Sequence, residues 1–139
     1  MLSFASTLSL DSDALAIFVN EKYAYKDRKG ALPSNIIKKI NSYLANLKDK
    51  KEEEYITSFD ISDKKTCFII RVKNNHESYY PQEKGGSFFT HTKQYKKIKK
   101  IDIYSDSLDF DSPRLVSFFS QFIFGFNLKS YTFNKYKTL

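Results

Sequence analysis

The run Ala14–Val19, ALAIFV, constrains the fold more than any other stretch of this chain. Apolar residues in unbroken succession, with no polar alternation, describe a strand buried on both faces. Such a strand needs helices to cover its sheet. A covering helix is legible between Ser34 and Leu47, where Ile36, Ile37, Ile40, Tyr43, Leu44 and Leu47 form one stripe at helical spacing. Ser34 is placed to cap it. Thr66–Val72 (TCFIIRV) is a further apolar, β-branched run. In Tyr55–Ile61 before it, Tyr55, Thr57, Phe59 and Ile61 alternate with Ile56, Ser58 and Asp60. Asp63 and Lys64 make the turn between these strands, which predicts a hairpin. At the N-terminus, Leu2, Phe4, Ser6, Leu8 and Leu10 alternate as a half-buried strand does.

Asn20–Ala31 and Lys48–Glu54 are polar connections. Asn74–Gly86 holds Pro81, Gly85 and Gly86 and reads as a long loop, followed by a helix over Ser87–Lys97. Ile98, Ile101, Ile103 and Tyr104 suggest another strand. The last helix has Ser112 at its cap, Pro113 at its first position and a stripe of Leu115, Phe118, Phe119, Phe122, Ile123 and Phe126. The order β-β-α-β-β-α-β-α predicts one α/β domain, a mixed sheet flanked by helices on both faces.

Composition narrows the function classes. At 41% hydrophobic residues the chain of 139 residues is not a disordered one. Its lone cysteine, Cys67, excludes an intramolecular disulfide framework and a cysteine-ligated zinc finger, and fits a reducing, cytoplasmic setting. No apolar stretch has the length of a membrane span, and the N-terminus lacks the basic start of a signal peptide. The net charge of +7 fits an acidic partner such as nucleic acid, but it comes from 20 Lys and only 3 Arg, in a chain rich in Ile, Asn, Phe and Tyr. AT-rich codons give the same excess, and Arg is the better phosphate clamp. Lys93, Lys96, Lys97, Lys99 and Lys100 form the densest basic patch, with Tyr95 and Tyr104 beside it as stacking partners for bases. The same lysines also read as a solvated helix end.

Catalytic signals are weak. His76 and His91 lack metal-ligand spacing, and Cys67 sits in a core strand. Asp102, Asp106, Asp109 and Asp111 precede the last helix, where its dipole favours them, and match no calcium loop. No serine lies on a nucleophile turn. No catalytic residue and no metal ligand is expected in this chain.

The C-terminal stretch FGFNLKSYTFNKYKT, Phe124–Thr138, carries a more specific signal. Gly125, Leu128, Tyr131, Phe133, Tyr136 and Lys137 fall at the offsets of the segment that closes the N-terminal domain in the leucyl aminopeptidase (cytosol aminopeptidase) family, which this chain resembles. The order of strands and helices agrees with that domain. Two departures stand out: Phe124 replaces the family's usual Glu, and Lys73, Asn74 and Asn75 stand where a Gly-Leu-Gly is usual. The resemblance implies a macro-domain-like three-layer sandwich spanning 1–139, with 127–139 as an exit segment toward a C-terminal catalytic domain. It implies a non-catalytic domain, free of cofactors itself, that packs on the catalytic domain and helps assemble a homo-hexamer. In that family the catalytic domain holds two divalent metal ions, zinc or manganese, near an Asn-Thr-Asp-Ala-Glu-Gly-Arg-Leu motif, and removes N-terminal residues from peptides. Tyr131, Phe133 and Tyr136 would anchor an exit strand. The alternative is a free-standing basic module that binds nucleic acid or a nucleotide through the Lys93–Lys100 patch.

Overall fold

A computed structural model describes residues 2–4, 12–27, 30, 32–49, 56–95 and 97–137, with backbone alone at 2–4, 48–49 and 135–137. Its strands are β1 (Leu2–Phe4), β2 (Ala14–Val19), β3 (Ile56–Ser62), β4 (Lys65–Arg71) and β5 (Ile101–Tyr104). Its helices are α1 (Ser34–Asp49), α2 (Tyr80–Thr92) and α3 (Ser112–Lys137), with one 3-10 turn over Ser105–Ser107. The chain is thus α/β with a mixed sheet, as the sequence predicts. It divides into two compact units: Met1–Asn74 with Lys97–Asp109, and Asn75–Lys96 with Phe110–Leu139.

The first unit holds a sheet of order β1-β5-β2-β4-β3, parallel throughout except for the antiparallel edge strand β3. All of β2 is buried. Its alternate residues Leu15, Ile17 and Val19 join the stripe Ile36, Ile40, Leu44 and Leu47 of α1 in one aliphatic core with Cys67 and Ile69. At the sheet edge Tyr43 stacks on Phe59 at 4.5 Å and donates a 2.8 Å hydrogen bond to the Thr57 hydroxyl. On the other side β5 stops at Tyr104, which pairs with Ile17, so the next amide of β2 needs another partner. The buried Ser107 hydroxyl supplies it, accepting from the Phe18 N–H at 2.9 Å and donating to the Tyr104 carbonyl at 2.6 Å.

The second unit is the helix pair α2–α3. Gln82 meets Gly125, Gly86 meets Lys129 and Phe89 meets Phe133, so contacts advance together and the helices run parallel. A methyl carbon built on Gly85 would lie 1.8 Å from the Phe122 carbonyl oxygen, and one on Gly125 would lie 1.9 Å from that of Gln82. Backbone therefore touches backbone at this crossing, and only glycine fits. Phe88 packs against Phe122 and Phe126 at 5.7 and 5.9 Å, and Phe118 meets Phe119 edge-on at 5.1 Å.

Several sequence expectations need correction. Half of the expected 74–86 loop is the start of α2. Pro81 lies in its first turn, where a missing N–H costs nothing, and Gly85 serves the crossing. The helix expected to reach Lys97 stops at Thr92. Ser34 is the first helical residue of α1, which the Pro33 carbonyl caps by accepting from the Ile36 and Ile37 amides. Asp111, not Ser112, caps α3, its carboxylate accepting from the Arg114 N–H at 3.0 Å. The exit segment is no strand: residues 127–137 are the last turns of α3. Ser6, Leu8, Leu10 and Tyr55 lie outside the described residues.

Candidate functional site

Helix α3 carries apolar side chains on two faces. Phe118, Phe119, Phe122 and Phe126 are buried, as the sequence stripe requires. Phe124, Leu128 and Tyr131, at i, i+4 and i+7, lie on the other side and are 57%, 46% and 67% exposed. Scattered exposed apolar residues are ordinary, but three large ones aligned on one helix make a contiguous patch. A groove of about 600 Å³ lies between α2 and α3, and Glu83, Gly86, Gly125, Leu128 and Lys129 are among the residues that line it. Leu128 belongs to both features. The charge of α3 is one-sided: it holds Arg114, Lys129, Lys135 and Lys137 and no acidic residue.

The motif that carries the family resemblance is split by this geometry. Gly125 is locked into the crossing, and Phe133 packs against Phe89 at 5.7 Å. Leu128 and Tyr131 face outward. The side chains of Tyr136 and Lys137 lie outside the described residues.

The basic patch is not a single helix surface. Lys93 belongs to the second unit, where its ammonium sits 4.6 Å from the centroid of the Phe133 ring. Lys97, Lys99 and Lys100 belong to the loop before β5 in the first unit, and Lys96 lies outside the described residues. The Lys99 and Lys100 amides donate to the Asp13 carboxylate at 2.9 and 3.0 Å, and these bonds hold its pKa below the ordinary carboxylate value.

In open α/β sheets ligands usually sit beyond the carboxyl ends of the strands. Here the loop after β2 ties itself to its neighbours in that place. The Asn20 side chain accepts from the Lys22 and Ala24 amides at 2.9 and 3.0 Å, and Tyr23 takes a left-handed φ of 60°. Arg71 donates to the Glu21 carbonyl at 2.7 and 3.1 Å and lies 4.8 Å above the Tyr23 ring. The Tyr104 hydroxyl bonds the Asp27 carboxylate, and Lys26 pairs with Asp109 at 3.7 Å.

The remaining titratable candidates are dispersed. Asp102 is buried in β5, Asp106 lies in the 3-10 turn, Asp109 faces Lys26 and Asp111 caps α3. The His76 ring stacks on Tyr80 at 4.6 Å, while His91 tilts on Tyr95 at 6.2 Å. Cys67 is fully buried, and burial pushes its thiol pKa far up, which makes it inert. Among the described residues no group of three His, Cys, Asp or Glu comes together as metal ligands do, and no helix is long and apolar enough to cross a membrane.

Sequence reasoning missed Phe124 as an outward residue and Gly86 as part of the groove lining. The available signal was the excess of apolar residues on α3: Phe124 and Leu128 fall outside its one buried stripe. Comparison with known protein families, with curated proteins and with solved structures returns no match.

Proposed function

We propose that this chain is the non-catalytic N-terminal domain of a two-metal peptidase of the leucyl aminopeptidase type. In this reading it acts by packing on a catalytic domain and helping to assemble a hexamer in the cytoplasm. The parent enzyme removes N-terminal residues from peptides, with two divalent metals held by the catalytic domain. The observation that supports it is the division of the Phe124–Thr138 motif on α3. Gly125 faces inward at a contact that only glycine permits, while Leu128 and Tyr131 face outward as a ready docking surface. A motif that both builds its own domain and presents apolar side chains to a second body suits a segment between two domains.

The deciding measurement is to read the source gene through codon 139. An open frame that runs on into Asn-Thr-Asp-Ala-Glu-Gly-Arg-Leu is the expected result. A stop codon after Leu139 would overturn the assignment. The expressed 139-residue chain should show no leucyl-peptide hydrolysis with added zinc or manganese.

A further inference from the structure

Among the described residues five large apolar or aromatic side chains are exposed, and four of them, Val116, Phe124, Leu128 and Tyr131, lie on α3. The exposed positions of α1 carry none; Asn35, Lys38, Asn41 and Asn46 stand there. A solvated helix face usually bears charge. Yet from Ser112 to Asn134 the one charged residue at an exposed position of α3 is Lys129, which stands aside from this face, next to Gly86 of α2. Ser117, Ser120, Phe124, Leu128 and Tyr131 are all exposed and form one stripe, opposite the buried Phe118, Phe122 and Phe126. We propose that this stripe pairs with the same stripe of a second copy of the chain, the two α3 helices antiparallel about a two-fold axis at Phe124.

Two observations select a second copy. The first is the order of sizes along the stripe. Ser120 and Ser117 lie four and seven residues before Phe124, and Leu128 and Tyr131 lie four and seven after it. Antiparallel pairing about Phe124 sets each Leu128 on Ser120 of the other copy and each Tyr131 on Ser117 of the other copy. Large then meets small at both ends, as close packing requires of a contact that a surface makes with itself. A parallel pair would set large on large at one end and leave a gap at the other. The second observation is charge. Two copies that each carry +7 repel on approach, and this stripe lets them meet without burying like charges together. Its extent sets the strength. From Ser117 to Tyr131 the helix runs about 21 Å, and a pair of that length buries less than the roughly 800 Å² per partner of a tight complex, so micromolar association is expected. The pairing does not depend on the aminopeptidase reading. A stop codon after Leu139 ends that reading and leaves the pairing standing, whereas a monomeric chain ends the pairing and leaves that reading to the gene.

The test is sedimentation equilibrium of the whole chain. A monomer–dimer equilibrium with a dissociation constant of about 10 to 100 μM is expected. Phe124→Lys puts two ammonium groups together on the axis and should weaken the dimer by about tenfold or more. Ser120→Leu separates this pairing from general surface hydrophobicity. It adds apolar area yet sets leucine on leucine, so it should weaken the dimer about tenfold rather than tighten it. Ser120→Asp and Leu128→Lys should each leave the chain monomeric. Mixing those two variants should restore a heterodimer about tenfold tighter than either homodimer, because a carboxylate then faces an ammonium across the contact. All three positions are exposed, so the variants should keep the wild-type circular dichroism. The proposal is overturned if the chain stays monomeric at about 500 μM, whether or not phosphatidylglycerol vesicles take it up. It is equally overturned if Phe124→Lys leaves the dimer intact, if Ser120→Leu tightens it, or if the mixed variants remain monomeric.

Discussion

The two units solve the same packing problem by different means. In the first, aliphatic side chains from β2, β4 and α1 fill the space between helix and sheet. The separation of the layers is set by side-chain volume, so modest changes of shape can be absorbed. In the second, α2 and α3 meet backbone to backbone at Gly85 and Gly125, and phenylalanines close the sides of the contact. No side chain lies at the crossing to adjust. The lesson is that the helix pair is specified by what is missing at two positions, whereas the sheet unit is specified by what is present at many.

The strongest way to break this comparison is Phe122→Ala. The ring is fully buried between Phe88 and Phe118, so its loss should cost about 4 kcal/mol in urea unfolding. A cost below about 1 kcal/mol would mean that the second unit is not a packed core. Gly125→Ala comes next. Alanine is the better helix former, yet the clash with the Gln82 carbonyl should destabilise the protein by about 2 to 3 kcal/mol. In the first unit Ser107→Ala should cost about 2 kcal/mol, because it strands the Phe18 amide in a buried site. Gly86→Ala sharpens the contrast from the other direction. With no clash to meet, it should stabilise the protein by about 0.5 to 1 kcal/mol, read as a higher midpoint at unchanged slope.

The smallest effect concerns acid. The Asp13 carboxyl is lowered by two amide bonds, so the folded state holds its proton less firmly than the unfolded state does. Its contribution is complete above the ordinary carboxylate pKa of about 4 and is lost as pH falls through the lower folded value. Asp13→Asn should therefore reduce stability slightly at neutral pH and flatten the acid limb of the stability curve. Identical acid limbs in the two proteins would remove Asp13 from the account.

Much of the first unit was legible because its signals are local. The unbroken run of β2, the alternation of β3 and the stripe of α1 each follow from a few neighbouring residues and their spacing. The second unit was harder to read. Pro81, Gly85 and Gly86 are turn signals on their own, yet they open and build a helix because α3 lies against it. Residues 127–137 contain Tyr131, Thr132 and Phe133, which favour strands, yet they stay helical. Phe133 packs on Phe89, and the Thr132 hydroxyl bonds the Leu128 carbonyl at 2.9 Å within the helix. Of the candidate surface, the spacing of the motif was visible, but the division between inward Gly125 and outward Leu128 was not.

The sequence by itself determined the α/β class, the central buried strand, the hairpin and the aromatic stripe of the last helix. Each is a periodicity, and a periodicity fixes which face of an element avoids water whatever its neighbour. Only the tertiary structure decided which glycines are obligatory, where α2 begins and which apolar residues of α3 remain exposed. Those depend on how closely another backbone approaches, a distance that no local pattern encodes.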